Sequence, residues 1–371
     1  MDSSASTLIL CPSLNRENGG VVFDTSLLEK QSNLPTQFLW PHEDLAYAAQ
    51  DELKDPPVDL QGFFNGDQQA INVAAAQIRA ACLNHGFFQV INHGVDSTIV
   101  CAAHKQIDEF FKLPLSRKLD IKRKPGALCG YSGAHADRFA TKLPWKETFS
   151  FAYQHADGPG LDVVNYIKSV LGNDFEEAGC VYQKYCETMK DLSLAILELL
   201  GMSLGVDRMH YRKYFEDGRS IMRGNNYPPC KEAGLTLGTG PHSDPNSLTI
   251  LHQDQVGGLQ IFSDNKWQAI KPRPDAFVVN IGDTFMALSN GRYKSCLHRA
   301  VVNKERVRRS LVFFVNPKDD KIVRPPQDVM KREYPDFTWS DLREFTQNHY
   351  RADTTTLQNF VQWLSFTKPQ P

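Results

Sequence analysis

The motifs N-N-Y-P-P-C (225–230), G-T-G-P-H-S-D-P (238–245), S-C-L-H-R-A-V (295–301) and R-R-S (308–310) follow one another in a single stretch of the chain. Within the second motif, one residue separates His242 from Asp244. Side chains at positions i and i+2 of an extended strand point to the same face, so the imidazole and the carboxylate converge. His298 lies several strands further along the chain. We expect its strand to return to the same side of a barrel, so that His298 completes a three-residue metal site.

These three side chains limit the chemistry that the stretch can support. Two His and one carboxylate on one side of a metal leave other coordination positions open, which is the ligand set of non-haem Fe(II) oxygenases. A second H-x-D sequence, His252-Gln253-Asp254, is also present. It lies in the apolar run L-T-I-L-H-Q-D and lacks the glycines and prolines that surround His242, so we interpret His252 as a wall residue of the barrel.

A buried anion site is predicted shortly after His298. Arg308 and Ser310 open the apolar run L-V-F-F-V of residues 311–315, and on a strand they share one face while Arg309 takes the other. A guanidinium inside a barrel requires a buried anion, and its planar fork suits a carboxylate, to which a nearby hydroxyl adds a hydrogen bond. Tyr227, held before two prolines, can direct its phenol to the same anion.

The combination of H-x-D, a distant His, R-x-S and N-x-Y-P-P-C resembles the plant 2-oxoglutarate-dependent dioxygenases of the double-stranded β-helix fold. The similarity covers nearly the whole chain from about residue 55 onward. The resemblance implies that Fe(II) is held by the catalytic residues His242, Asp244 and His298. It also implies that the distal carboxylate of 2-oxoglutarate is bound by Arg308, Ser310 and Tyr227, with Asn225 close to this co-substrate.

The same resemblance implies a reaction that consumes O2 and converts 2-oxoglutarate to succinate and CO2 while a substrate C–H bond is oxidised. Ascorbate is implied as a further requirement. The chain departs from the family pattern at Asn226, where many relatives have Tyr, but Tyr227 keeps its place.

The spacing of apolar residues predicts a mainly β core with flanking helices. Between residues 221 and 315 the elements are short and rich in β-formers, with frequent turn signals, which is typical of a jelly roll. We expect a flexible N-terminal extension (1–54), an N-terminal helical dioxygenase region (55–215), the jelly-roll core (216–320) and a C-terminal helical segment (321–371). Residues 35–41 are more apolar than the rest of the extension and are expected to dock on the body.

Composition and charge exclude several classes of partner. The chain has 371 residues, of which 41% are hydrophobic and 23% charged, so it can bury a substantial core. A net charge of −2 gives no reason to expect nucleic acid or an anionic membrane as a partner. Eight cysteines without a C-x-x-C pair, and the absence of a signal-peptide pattern or an apolar span, predict a reduced, cytoplasmic protein. The sequence shows no heptads, and we expect a monomer.

The substrate is indicated by residues 130–151, which mix aromatic and cationic side chains. On composition alone this is an ordered loop in which Trp145 and Phe139 simply pack. However, L-P-W-K-E-T (143–148) is similar to a stretch of the gibberellin 20-oxidases, and residues 279–303 are also close to that subfamily. This resemblance implies successive oxidation of carbon-20 of C20 gibberellin precursors, small diterpenoid acids, to C19 gibberellins.

An apolar acid of this kind requires an aromatic wall and at least one cation. We expect Arg138, Lys142 or Lys146 to meet the substrate carboxylate, with Trp145 contributing to the wall. Gibberellin 3- or 2-oxidases and flavonoid dioxygenases share the metal and co-substrate residues, so only the pocket separates these alternatives. A non-enzymatic metal-binding jelly roll is the alternative from another class, and Arg308 argues against it because such a barrel has no need of a buried carboxylate receptor.

Overall fold

The structure is a computed structural model and describes residues 23–28, 33–45, 51–124, 126–136, 142–154, 162–326, 331–348 and 356–367. Its α-helices are α1 (Thr25–Leu28), α2 (His42–Leu45), α3 (Gln61–Phe64), α4 (Gln68–Asn84), α5 (Ser97–Lys112), α6 (Leu115–Asp120), α7 (Val163–Leu171), α8 (Glu176–Leu204), α9 (Met209–Phe215), α10 (Asp283–Leu288), α11 (Trp339–Asn348) and α12 (Thr356–Thr367). Short 3-10 helices are Thr36–Phe38, Asn173–Phe175 and Ala233–Leu235.

The β-strands are β1 (Asp51–Glu52), β2 (Val58–Asp59), β3 (Phe87–Ile91), β4 (Gly130–Gly133), β5 (Glu147–Tyr153), β6 (Ser220–Tyr227), β7 (Leu237–His242), β8 (Leu248–Gln253), β9 (Leu259–Ser263), β10 (Lys266–Ala269), β11 (Phe277–Ile281), β12 (His298–Val301), β13 (Arg308–Val315), β14 (Ile322–Val323) and β15 (Phe337–Thr338). The large sheet has the order β2-β3-β11-β8-β13-β6-β5-β4, and the small sheet has the order β1-β10-β9-β12-β7. Strands β14 and β15 form a separate pair. The predicted mainly β core with flanking helices is confirmed.

The long helix α8 covers one face of the large sheet. Its apolar residues recur at helical spacing and belong to the same buried cluster as Leu311 and Phe313 of β13. Gly205 ends the helix in a left-handed conformation with φ of 77°, which a residue without a Cβ adopts at little cost. Helix α8 therefore braces the large sheet from this side.

Strand β13 alternates between two environments. Leu311, Phe313 and Val315 are fully buried on the helix-covered side, so Arg308 and Ser310 point to the opposite side. We call this opposite side of the large sheet its interior face. The antiparallel register brings Tyr227 beside Arg308 and Asn225 beside Ser310, which places all four side chains on the interior face.

Residues 35–41, which belong to the predicted extension, dock on the barrel as expected. Phe38 packs edge-on against Trp145 with ring centroids 5.1 Å apart. The Trp40 indole N–H donates to the carbonyl of Leu143 at 3.2 Å. Its six-membered ring lies so close to Gly240 that a Cβ there would be 2.1 Å from it. Gly240 therefore provides the close approach that seats this segment beside β7.

A buried ion pair ties α6 to β5 of the large sheet. Lys118 Nζ donates to Glu147 Oε2 at 2.7 Å, and both side chains are almost fully buried. The hydroxyl of Tyr131 donates to the same carboxylate oxygen at 2.9 Å, and Asn226 Nδ2 donates to the other at 3.0 Å. Asn226, the departure from the family pattern, thus anchors Glu147 behind the strand that carries Asn225 and Tyr227.

Among the residues described, no helix is both long and apolar enough to cross a membrane.

Removing one partner of this ion pair tests its contribution to stability. We expect Lys118→Met to lower the free energy of unfolding by about 3–5 kcal/mol, because Glu147 then stays charged and buried without its cation. The double variant Lys118→Met/Glu147→Gln is expected to lose less, since an amide can keep hydrogen bonds to Tyr131 and Asn226 without charge. Urea unfolding measures both, and a double variant that loses as much stability as Lys118→Met, or more, would contradict the assignment.

Candidate active site

The predicted metal ligands come together where the two sheets meet. His242 ends β7, His298 begins β12, and the two are paired across the small sheet. Asp244 follows two residues after His242. One ligand atom from each of the three residues lies within 4.8 Å of the others, so the structure brings the whole predicted set together.

Backbone carbonyls orient both imidazoles. Nδ1 of His242 lies 2.9 Å from the carbonyl oxygen of Gly240, and Nδ1 of His298 lies 3.3 Å from that of Cys296. A carbonyl only accepts, so each Nδ1 carries the proton and each Nε2 presents a lone pair. The Nε2 atoms lie 3.6 and 3.7 Å from the carboxylate oxygens of Asp244. Both lone pairs are thus available to a metal ion beside Asp244.

The large sheet holds Asp244 from the other side. Its Oδ2 accepts from the Thr249 hydroxyl at 2.7 Å and from Asn280 Nδ2 at 3.0 Å. Burial raises the pKa of Asp244, but the nearby imidazoles and these hydrogen bonds outweigh it and hold the pKa below its ordinary value. Burial, and then the neighbouring His298, lower the pKa of His242 far below its usual range. A carboxylate beside a neutral imidazole is the protonation state that metal binding needs.

Arg308 forms an incomplete anion site. Its side chain is 1% exposed, and Nη2 donates to Gln253 Oε1 at 3.1 Å. Neither Nε nor Nη1 has a hydrogen-bond partner among the described residues. The Tyr227 ring lies 4.8 Å from the guanidinium carbon, and Asn225 Nδ2 donates to the Ser310 hydroxyl at 3.1 Å. Buried donors without partners are costly, so the pocket fits a carboxylate that completes the guanidinium fork.

The cations predicted to meet a substrate carboxylate lie in different places. Arg138 is outside the described residues. Lys142 is half-exposed and pairs with Asp44 at 3.0 Å. Lys146 is buried, and its Nζ donates to the hydroxyl of Thr239 at 2.9 Å. Burial, and then the charges of Arg223 and Arg123, lower the pKa of Lys146 well below its ordinary value.

Trp145 lies away from an open pocket wall. It is 3% exposed and packs against Phe23 and against Phe38 of the docked segment 35–41. Its indole N–H donates to the carbonyl of Pro228 at 3.1 Å. This position matches the packing role that composition favoured, and it links the L-P-W-K-E-T stretch to the strand end that carries Tyr227.

Several contributors to the site were missed by sequence reasoning. Thr249 and Asn280 hold the carboxylate of Asp244, and Gln253 holds Arg308. The alternation of β8 contained part of the signal, because Thr249 and Gln253 both face away from the apolar residues Leu248 and Ile250. The pattern does not predict which strands lie next to β8, and therefore does not predict that Thr249 and Gln253 contact Asp244 and Arg308.

His252 is a wall residue, as predicted. It points to the outer side of the large sheet, where His104 Nε2 of α5 lies 2.8 Å from its Nδ1. Burial, and then the neighbouring His252, lower the pKa of His104 to about 3. This pair takes no part in the triad formed by His242, Asp244 and His298.

Comparisons with known proteins agree with this geometry. A family model described as the 2OG-Fe(II) oxygenase superfamily matches residues 218–317, and a model described as the non-haem dioxygenase in morphine synthesis N-terminal matches residues 56–169. The chain is 53% identical to gibberellin 20 oxidase 2 of Arabidopsis thaliana over 93% of this chain and 91% of the relative. It is 54% identical to gibberellin 20 oxidase 2 of Oryza sativa subsp. indica over 98% of this chain and 92% of the relative.

Solved structures show the same fold. A crystal structure of JOX2 in complex with 2OG, Fe and JA has a TM-score of 0.78 and 31% identity, and the match covers 92% of this chain and 98% of that one. The dioxygenase for auxin oxidation in rice has a TM-score of 0.66 at 24% identity, covering 82% of this chain and 99% of that one. At this identity, the comparison with the rice protein supports the same fold and nothing further.

The hydroxyl of Thr249 is expected to support metal binding through Asp244. We expect Thr249→Val to weaken Fe(II) binding about 10- to 100-fold, since outer partners of a metal ligand typically contribute that much. Thr249→Ser, which keeps the hydroxyl, is the matched control and is expected to bind as the wild type. Anaerobic Fe(II) titration measures the affinity, and equal affinities for the valine and serine variants would contradict this role.

The His104–His252 pair predicts a pH-dependent stability. Because the pKa of His104 is about 3 in the folded protein and about 6.5 when unfolded, the unfolded chain binds the extra proton between these values. Stability is therefore complete above about pH 6.5 and falls as the pH drops toward 3, by up to about 1.4 kcal/mol per pH unit for one proton. In urea unfolding against pH, His104→Gln is expected to flatten this slope, whereas His42→Gln, on an exposed residue, is not. An unchanged slope for His104→Gln would be evidence against the pair.

Proposed function

The chain belongs to the gibberellin 20-oxidase family of Fe(II)- and 2-oxoglutarate-dependent dioxygenases, and on that premise we propose that it oxidises carbon-20 of C20 gibberellin precursors in successive steps to C19 gibberellins. Fe(II) and 2-oxoglutarate are its metal and co-substrate. Its substrate in this proposal is a small diterpenoid acid, and ascorbate is an added requirement. The observation that supports the site assignment most strongly is the buried Arg308, whose Nε and Nη1 meet no acceptor among the described residues.

In this proposal each residue of the site has a separate task. His242, Asp244 and His298 hold Fe(II) through two neutral nitrogens and one carboxylate oxygen. Arg308 and Ser310 bind the distal carboxylate of 2-oxoglutarate, with Tyr227 beneath the guanidinium and Asn225 holding the Ser310 hydroxyl. Together Fe(II) and 2-oxoglutarate supply the oxidising chemistry, in which O2 is consumed, succinate and CO2 are released and a substrate C–H bond is oxidised.

Charge balance explains why the protein provides a single carboxylate at the metal. Asp244 neutralises one of the two positive charges of Fe(II), and one carboxylate of 2-oxoglutarate can neutralise the other. The second carboxylate of the co-substrate must then be neutralised elsewhere, and Arg308 provides the matching cation in a buried position. Gln253 and the Tyr227 ring hold this guanidinium in place before the co-substrate arrives.

Product analysis tests the proposed reaction. The protein is reconstituted anaerobically with Fe(II), 2-oxoglutarate and ascorbate, then exposed to O2 with a C20 gibberellin precursor. We expect succinate together with products that carry an alcohol, then an aldehyde, and finally lack one carbon, as followed by mass spectrometry. A hydroxyl placed at carbon-3 or carbon-2 as the only change, with carbon-20 unoxidised, would contradict carbon-20 oxidation and favour a 3- or 2-oxidase, while keeping the dioxygenase chemistry.

Two adjacent arginines allow a matched test of the co-substrate site. Arg308→Met is expected to raise the KM for 2-oxoglutarate at least about 100-fold, because truncating one partner of a buried charge pair costs several kcal/mol. Arg309→Met is the control, since this neighbour points to the outer side and pairs with Asp108 of α5. Succinate formation measures both variants. Equal KM values for them would contradict the assignment of Arg308.

A further inference from the structure

We propose that Trp40 is a positioning residue of the metal site, and that docking of segment 35–41 on the barrel strengthens metal binding through His242. The inference rests on the proposed assignment of His242 as a metal ligand. It extends that assignment to the N-terminal part of the chain. Trp40 acts on the metal through the main chain of Gly240, which contacts both Trp40 and His242.

Strand β7 bulges immediately before His242. Between its pairs with His298 and Ala300, β7 advances by three residues while β12 advances by two. The extra residue lies next to Gly240, where the ladder of backbone hydrogen bonds is interrupted. In addition, β7 is the outer strand of the small sheet and, among the strands that the structure describes, it is paired with β12 alone. The sheet by itself therefore holds the end of β7 weakly.

The docked segment 35–41 supports this bulge at Gly240. Three carbons of the Trp40 six-membered ring surround the position that a Cβ of residue 240 would take, so the ring rests directly on the main chain of Gly240. The carbonyl of the same residue lies 2.9 Å from Nδ1 of His242, which leaves Nε2 for the metal. One glycine thus connects the Trp40 ring to the orientation of the imidazole.

Two hydrogen bonds fix Trp40 to elements next to β7. Its backbone N–H donates to the carbonyl of Leu235, two residues before β7 begins, at 3.1 Å. Its indole N–H donates to the carbonyl of Leu143 at 3.2 Å, and the N–H of Leu143 donates to the carbonyl of Gln37 at 2.8 Å. Because the side chain and the backbone are both anchored, the ring restrains Gly240 instead of moving away from it.

The strand of the other imidazole is also contacted by the N-terminal part of the chain. Arg299, which follows His298, donates from Nη1 to the carbonyl of Asp44 in α2 at 2.7 Å. Its Nε donates to Gln260 Oε1 on β9 at 2.8 Å. Segment 35–41 and α2 therefore contact both strands that carry the metal-binding imidazoles, β7 and β12.

Zn(II) titration by calorimetry tests the role of Trp40 in the full-length protein without turnover. We expect Trp40→Ala to weaken Zn(II) binding about 10-fold, the lower end of the range for residues that orient a metal ligand. Leu39→Ala is the matched control, since this neighbour in the same segment is 40% exposed, and it is expected to bind as the wild type. Equal Kd values for the two variants would overturn the proposal.

The absorption spectrum of the Co(II)-loaded protein separates positioning from structure, because the bands of Co(II) depend on ligand geometry. Trp40→Ala is expected to shift these bands, and Leu39→Ala is not. A merely structural role would lower the free energy of unfolding while the bands and the Kd of the folded protein stayed as in the wild type, and this result would count against the proposal.

A double-mutant cycle tests the contact with Gly240. Gly240→Ala places a methyl group where the Trp40 ring lies, so we expect it to displace the ring and to weaken Zn(II) binding about as much as Trp40→Ala. In the Trp40→Ala background the same methyl group has room, and Gly240→Ala is expected to change the Kd less than about twofold. Fully additive losses would contradict the proposed contact, since they would show that the two positions act independently.

Hydrogen exchange of the wild type tests the coupling in the opposite direction. By linkage, docking that strengthens metal binding is itself strengthened by the metal to the same extent. We therefore expect saturating Zn(II) to slow exchange in the peptide that contains Trp40, whose amide donates to Leu235, by up to about 10-fold. Mass spectrometry measures this rate. An unchanged rate would overturn the proposal even if Trp40→Ala failed to fold.

His242→Ala distinguishes this inference from the metal assignment on which it rests. A strong loss of Zn(II) affinity in His242→Ala, together with wild-type affinity in Trp40→Ala, would overturn the role of Trp40 alone. An unchanged affinity in His242→Ala would overturn the metal assignment, and with it this inference.

Discussion

The burial of Arg308 is the constraint on which the rest of the site depends. In the part of the chain that the structure describes, Nε and Nη1 of this guanidinium have no acceptor, which is unfavourable inside a barrel. Gln253 and the Tyr227 ring reduce this cost only partly. A bound carboxylate removes the remaining penalty. The large sheet therefore holds Arg308 at a fixed position where binding of an anion is favourable. The rest of the co-substrate must extend from this position toward the metal.

The metal ligands depend on the contact between the two sheets. The small sheet supplies both imidazoles and fixes their tautomers through backbone carbonyls, whereas the large sheet supplies the donors that hold Asp244. A shift of one sheet relative to the other would separate the carboxylate from its partners. The helices that cover the outer side, with α8 as the longest, thus serve the site by keeping the large sheet in register.

The sequence predicted those parts of the site that depend on local geometry. His242 and Asp244 were found from their i, i+2 spacing, and the two faces of β13 separated Arg308 from Arg309. Thr249, Asn280 and Gln253 were not found, because their roles follow from which strands are neighbours and in what register. A single strand pattern contains no information about its partner.

The substrate region shows the same limit more strongly. The mixed aromatic and cationic composition of residues 130–151 directed attention to Lys142 and Trp145. However, Asp44 of α2 pairs with Lys142, and Phe38 of the docked segment 35–41 packs against Trp145. That docking joins residues far apart in the chain, so neither composition nor periodicity could have revealed it.

The most direct test of the account compares 2-oxoglutarate with 2-oxopentanoate, which lacks the distal carboxylate. Calorimetry on the Zn(II)-loaded protein without O2 gives the Kd of each for the wild type and for Arg308→Met. The account predicts that the wild type binds 2-oxoglutarate at least about 100-fold more tightly, and that the variant binds the two compounds almost equally. An undiminished preference for 2-oxoglutarate in Arg308→Met would contradict the claim that Arg308 receives this carboxylate.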